Sequence, residues 1–367
     1  MKRKKRKSKK KPSLSIGVEL EAYSIAVQEK RICRELHFPR RGSVEKGERF
    51  LRDWSIGTEY NSKVFTTIRE AIFLLKNGLR KYTHFRKKVN GNNHHVIFPV
   101  GGWIDRFAGC HIHIALGKKG IAYDQGQRLA PYLYSHIPFL IALTANSPVW
   151  RNKITSVASN RLLLGSDKYC KVSRPTKLYK QHYREITFNK GKIVKPSTLE
   201  IRICDSSLPE FTVAALCVSY AVALRWLRHK PPLNRSTQSN HLKARDAAIR
   251  NGVKARLVWS NHWITVPQYV DLLFRKYKDE FDEMDIPDEI LSIFKYLKKG
   301  WNQAEVIRQA AVKCRKKNAA TWQRQFAVKY IPAIQELLDG NSYTHFAHRL
   351  GITLPKIKRT WLGHAPR

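Results

Sequence analysis

Six side chains in three short stretches could do metal and phosphate chemistry. They are Glu19 and Glu21 in SIGVELEAYS (residues 15–24), His111 and His113 in GCHIHIAL (Gly109–Leu116), and Glu200 and Arg202 in TLEIRICD (Thr198–Asp205). In each stretch the pair stands two residues apart. Carboxylates and imidazoles are ligands for divalent cations such as Mg²⁺ or Mn²⁺. A guanidinium offers a planar fork to phosphate oxygens. Glu19 and Glu21 would repel each other on one strand face unless a positive charge sat between or above them. By that reasoning, neutralising Glu19, Glu21 or Glu200 should relieve crowding and favour folding of metal-free protein. An ordinary wet sheet face is the alternative for any one stretch. Such faces more often carry Lys, Thr, Gln and Ser, and here all three stretches converge on one kind of site.

Strands are the elements that would hold these residues. Leu14, Ile16, Val18, Leu20 and Ala22 alternate along the first stretch, Ile112 and Ile114 along the second, and Leu199, Ile201 and Ile203 along the third. Period-two alternation predicts three strands, each with an apolar face towards a core and the ligand residues on the other face. In RFLRDWSIGTEYNS (residues 49–62), Asp53 and Glu59 flank a turn at residues 56–57. NSPVWRNKITSVASNR (residues 146–161) reads as a loop presenting Arg151, Ser159 and Arg161. Helical spacing predicts helices over 66–85, 132–145 and 211–227. Further helices are predicted at 243–251, 266–277, 288–298 and 303–314, beyond a Pro-Pro linker at 229–240. Residues 162–197, rich in Lys, Arg and Tyr, read as irregular. No fixed-period repeat is present.

With 367 residues, 43% hydrophobic and 11% aromatic, the chain can bury a large core and is not a disordered protein. Its formal charge of +41 divides into +9 from residues 1–11, +9 from residues 313–367 and +23 from the rest. A charge of this sign and size argues for a polyanionic partner, most often nucleic acid. A uniformly basic proteome is the alternative. The six cysteines form no CxxC pair or finger spacing and read as reduced thiols of a cytosolic protein. The longest uncharged apolar run, residues 211–224, is too short for a bilayer span, and no secretory signal is visible, so no membrane partner is expected.

Five motifs in order, GVELE, DWSIGTEYNS, GCHIHIAL, ANSPVW with SVASNR, and LEIRICDSSLP, resemble the carboxylate–amine ligases with a glutamine-synthetase-like fold, the bacterial type 2 glutamate–cysteine ligases among them. The later segments ARDAAIRNGVKARL and IFKYLKKGWNQAEVIRQ look like that family's C-terminal helices. The resemblance covers roughly residues 14–312. It implies an α+β fold: a curved, mostly antiparallel sheet with helices on its back, whose concave face holds ATP and divalent metal. Carried over by motif, Glu19, His111 and Glu200 would hold the metal that bridges the ATP phosphates. Glu21 and Glu59, with Asp53, would hold the one beside the acceptor carboxylate. Arg161 and Arg202 would clamp the transferred phosphoryl group. His113 suits cofactor binding or strand hydrogen bonding equally. The reaction implied is ATP-dependent amide formation through an acyl phosphate, from a small-molecule or peptide carboxylate and an amine. The family's amino-acid pocket has no match here, so the substrates stay open, as does oligomeric state.

Three segments are therefore expected: a basic, disordered tail at 1–13, the amidoligase at 14–312, and a basic, all-α segment at 313–367. In the last, NSYTHFAHRLGITLPKIKRTWL resembles a helix-turn-helix, with Ala347, Gly351 and Ile357 at the positions where two helices touch and turn. Thr353 would cap a second helix running to residue 362, with Lys356, Arg359 and Thr360 facing outward towards DNA or RNA. A small helical appendage packed on the ligase body is the alternative. If the segment is separate, ATP turnover should survive its removal. A nucleic-acid-binding protein on a catalytically altered ligase fold is the competing function.

Overall fold

The computed structural model describes residues 13–34, 47–51, 56, 59–90, 94–180, 183–191 and 195–358. In chain order the strands are β1 (Leu14–Glu21), β2 (Tyr23–Ala26), β3 (Arg31–Cys33), β4 (Arg49–Leu51), β5 (Glu59–Asn61), β6 (His95–Phe98), β7 (Gly109–Leu116), β8 (Val149–Trp150), β9 (Lys153–Ile154), β10 (Ile186–Asn189), β11 (Thr198–Asp205), β12 (Arg256–Trp259) and β13 (His262–Thr265). The first helices are α1 (Ile68–Asn90), α2 (Tyr123–Tyr134), α3 (Ile137–Thr144), α4 (Asn160–Tyr169), α5 (Pro209–Leu227) and α6 (Gln238–Asn251). They are followed by α7 (Val266–Lys276), α8 (Lys278–Asp282), α9 (Asp288–Lys298), α10 (Gln303–Lys317), α11 (Trp322–Leu338) and α12 (Tyr343–Arg349).

The three strands read from alternation are the centre of one antiparallel sheet, ordered β10-β11-β7-β1-β5-β4. Their apolar residues are buried, and α2, α3 and α5 pack against this sheet. Helix α5 is buried on nearly every side, as its sequence predicts; 72% of its apolar window lies inside the protein. The expected antiparallel sheet backed by helices is therefore present.

Three local expectations fail for identifiable reasons. The helix expected over 132–145 is two helices, because Pro138 opens α3 and its ring is incompatible with a continuous helix through the preceding turn. The segment expected to be irregular contains most of α4 and all of β10, and the loop expected at 146–161 holds the β8–β9 hairpin at 149–154. Its two turn residues, Arg151 and Asn152, have φ of 47° and 58°, the left-handed pair that a two-residue hairpin turn requires.

The Pro-Pro stretch at 229–240 does not divide two cores. Asn234 within it is 1% exposed and donates to the carbonyl of Ser135 and to the Tyr269 hydroxyl. One hydrophobic cluster runs from Leu14 to Leu354. Beside Asn234, His136 lies buried between the hydroxyls of Tyr269 and Tyr277, at 2.8 and 2.9 Å. Burial pushes its imidazole from 6.5 down to about 3. The unfolded chain binds the proton first, so this contribution to stability is complete above pH 6.5 and is lost as pH falls from 6.5 towards 3. Between pH 6.5 and 5 that loss amounts to about 2 kcal/mol. His136→Gln should flatten the acid limb of stability against pH by about one proton, as read by urea unfolding at several pH values.

The C-terminal part is no separate unit. Helix α10 runs through the boundary expected at 312/313, and the rings of Phe326 and Tyr330 on α11 pack on Phe98 and Trp103 of the body. The helix-turn-helix is not formed over its described part. Tyr343–Arg349 is helical and Gly351 turns with φ of 79°, but residues 353–358 carry no helix, and 359–362 lie outside the described residues. Pro355 disfavours helical backbone at Leu354. The chain instead runs as a strap, burying Ile352 and Leu354 while Thr353, Lys356 and Lys358 stay exposed. Trp322, Phe326, Tyr330, Ile334, Leu337 and Phe346 are buried, each contributing about 2 kcal/mol. Their sum rivals the whole stability of a typical domain. Removing residues 313–367 should therefore leave protein without a cooperative thermal transition, contrary to the expectation that turnover survives truncation.

Candidate active site

Register brings the sequence-predicted residues together. Glu19 pairs with His111 on β7 and with Asn61 on β5, Glu21 pairs with Glu59, and His113 pairs with Glu200. The ladder between β7 and β11 shifts between Ile201 and Cys204, a bulge that contains Arg202. Bulges of this kind re-aim a side chain. Here the Arg202 guanidinium pairs with Glu200 and lies 3.4 Å from His111 Nδ1.

Glu19, His113 and Glu200 offer ligand atoms that all lie within 4.8 Å of one another. The Nδ1 of His113 shares a 2.8 Å hydrogen bond with the Thr198 hydroxyl. Its Nε2 is buried, has no hydrogen-bond partner and lies 3.5 Å from Glu19 Oε2. An imidazole oriented through one nitrogen with the other left over for a cation is the usual arrangement of a histidine ligand. Burial opposes charge on His113, but Glu200 and Glu19 outweigh it and raise its pKa; a divalent cation would neutralise the same carboxylate field.

His111 Nδ1 is 3.6 Å from Glu19 and 3.5 Å from Glu200, and its Nε2 is 3.8 Å from Glu21. Burial first, then the charge of Arg202, push it down to about 4, so it is neutral near pH 7 and able to ligate. Burial alone would raise Glu19 and Glu200. The histidines hold Glu19 below the usual carboxylate range, and His113 and Arg202 do the same for Glu200. Two anionic carboxylates with one or two imidazoles suit Mg²⁺ or Mn²⁺. The donor set thus fits the metal the resemblance implies.

Glu21 is 7% exposed and accepts from the Gly109 N–H at 2.5 Å. Glu59 stands half-buried across from it and accepts from Asn61. Asp53 lies outside the described residues. Arg161, in the first turn of α4, is 3% exposed. It donates to the Arg202 carbonyl at 3.0 Å, and its Nη1 is 3.8 Å from Asp205. Asp205 also accepts from Ser147 at 2.7 Å and Ser159 at 2.9 Å, so Arg161 belongs to a buried network behind the bulge.

Sequence reasoning missed three contributors. Lys195 donates to Glu19 Oε1 at 2.9 Å and to Asn61 at 2.6 Å. Asn189 donates to Glu200 at 3.3 Å, and Thr198 orients His113. Lys195 and Asn189 come from the stretch read as irregular, where no periodicity marks a face. Only Thr198 carried a signal, being two residues before Glu200 on the same strand face. Glu19, Asn61, His113, Asn189 and Lys195 line a cavity of about 430 Å³ that also reaches Arg49 and Lys63.

No family model matches the chain. A Mycolicibacterium vanbaalenii protein that carries the name glutamate–cysteine ligase 2-2 is 45% identical over 56 residues, 15% of this chain and 14% of that protein. Among solved structures, the Pup ligase PafA in complex with Pup superposes with a TM-score of 0.56 at 12% identity, over 93% of this chain and 80% of that one. Glutamate–cysteine ligase of Francisella tularensis in complex with AMP gives 0.58 at 11%, over 93% and 92%. A bifunctional glutathione synthetase of Pasteurella multocida gives 0.54 at 12%, over 92% and 55%. The chain has the glutamine-synthetase-like fold shared by these carboxylate–amine ligases.

Proposed function

We propose that this chain joins a carboxylate to an amine with ATP, through an acyl phosphate. The observation that carries the reading is the Glu19–His113–Glu200 cluster, with His111 beside it, on the polar face of a ligase-type sheet. A carboxylate is a poor acyl donor because its leaving group would be an oxide. Its oxygen attacks the γ-phosphorus, ADP departs, and the amine then displaces phosphate from the acyl carbon while losing a proton. Phosphoryl transfer asks mainly for positioning and charge neutralisation. Divalent metal held by Glu19, His113, His111 and Glu200 would supply Lewis acidity at the phosphates. Glu21 and Glu59, with Asp53, would serve the acceptor side. Arg202 is the guanidinium beside the phosphates, and Arg161 positions it through the Arg202 carbonyl. Substrates of amino-acid or peptide type agree with the names of the structural neighbours. The cavity of about 430 Å³ beside Glu19 is the place for the nucleotide.

Incubation with ATP, Mg²⁺ and an amino-acid panel should release ADP and phosphate in step with an amide product seen by mass spectrometry. Stoichiometric AMP would overturn the acyl-phosphate route. The charge of +41 favours a second reading, a nucleic-acid-binding protein on an altered ligase fold. Nucleic-acid binding without any ADP release would establish that reading instead.

A further inference from the structure

A second cavity, of about 460 Å³, lies over α4 and shares no lining residue with the one beside Glu19. Phe107 and Trp150 stack on its wall, with centroids 4.1 Å apart and planes 13° from parallel, and Tyr169 meets Phe107 edge-on. Gly165 lets these rings close over the helix; a Cβ there would meet carbons of Phe107 and Tyr169 at 3.1 Å. Three exposed cations converge on the aromatic wall: Arg106, Arg151 and Lys168. The Tyr23 hydroxyl holds the Arg106 backbone, but among the described residues none of the three charged groups makes a hydrogen bond or ion pair. The acid in the lining, Asp105, is already paired with Arg34 at 2.7 Å. Arg151 stands in the left-handed turn of β8–β9, where asparagine or glycine is the easier choice.

From this cavity a basic track leads away. Lys168, Lys171, Arg174, Lys177 and Lys180 recur at every third residue with no acid among residues 168–180, and all five are exposed. Between them Ser173 and Leu178 are buried and pin the segment to the body. Tyr179 lies under Lys177 and Arg184, and Tyr123 under Lys180. Aromatic rings beside a line of cations that form no ion pair among the described residues are the means by which proteins hold single-stranded nucleic acid, bases on rings and phosphates on the cations.

We propose that the cavity over α4 takes a nucleoside phosphate, as one unit of a single strand whose backbone follows residues 168–180. An acidic polypeptide would use the cations but not the stacking wall. The test is fluorescence anisotropy on the full chain with a labelled oligothymidine of roughly twelve nucleotides over a range of salt. Trp150→Ala should weaken binding by about tenfold, and Trp150→Phe should retain most of it. Arg151→Gln with Lys168→Gln should reduce the log–log salt slope by about 1.4. Both cations are exposed, so this pair reports on binding even if Trp150→Ala misfolds. Unchanged binding in all these variants overturns the assignment. So does poly-glutamate binding as tightly as the oligonucleotide and indifferent to Trp150→Phe and Trp150→Ala. If the variants lose ATP affinity while oligothymidine binding holds, the cavity is the adenine site of ATP and the proposal fails. Binding is read without turnover, so these outcomes are separate from whether the protein makes ADP.

Discussion

Glu19→Gln and Glu200→Gln are each expected to cut metal-dependent ATP turnover by at least about a hundredfold, while differing in stability. Loss of a residue that only orients a metal ligand already costs ten- to about a hundredfold, and a ligand itself costs more. Both side chains belong to the cluster with His113. Their other partners differ. Glu200 is 1% exposed and pairs with the Arg202 guanidinium, whose side chain is 12% exposed. Removing one member of a buried pair leaves an uncompensated charge, so Glu200→Gln should destabilise by about 3 kcal/mol. The cation on Glu19 is Lys195, 43% exposed, which can turn to water. Glu19→Gln should therefore cost less than Glu200→Gln, its loss coming mainly from the two histidines beside it. Urea midpoints, calorimetric Mn²⁺ titration and ADP release measured on both variants check this. Full turnover in both would remove the metal-cluster reading. The sequence-level argument that neutralising Glu200 relieves crowding does not hold, because Arg202 and His113 already balance that carboxylate.

Gly109→Ala should have a large effect for a single-methyl change near the site. A Cβ on Gly109 would fall 2.9 Å from Arg161 Cζ and closer still to Nη2. The guanidinium cannot step aside freely, since it lies against Asp205 and donates to the Arg202 carbonyl. Displacing it removes the cation from Asp205, whose pKa burial already raises. The same residue's N–H holds Glu21. Overpacking together with a weakened buried ion pair should cost about 3 kcal/mol. Turnover should fall by more than about tenfold, because the bulge that aims Arg202 moves. A variant with wild-type urea midpoint and turnover within about twofold would show that Arg161 has room to rearrange.

The three ligand-bearing strands were legible because period-two alternation puts two side chains on one face with no knowledge of the neighbours. Their register was not legible. Alternation in β7 exposes His111 and His113 equally, and only the pairing of His113 with Glu200, plus the bond to Thr198, distinguishes their roles. Strand β10 escaped notice because ITFN is four residues long within a run of Lys, Arg and Tyr. The tail misled for the opposite reason. Tyr343, Ala347 and Gly351 fit a helical hairpin and do form its first helix and turn, but Pro355 and the buried Ile352 and Leu354 favour an extended strap.

Lys195 has a consequence for how the protein matures. Its ammonium, bonded to both Glu19 and Asn61, together with Arg202 on Glu200, supplies within the chain part of the positive charge that the carboxylates call for. In small zinc-dependent domains the ion is needed before the chain will fold. Here the polypeptide carries its own counter-ions, so the proposed metal would not be required for folding. A newly made chain would then reach its final shape first, and the cation of the proposed site would come afterwards, from whatever pool the cell offers.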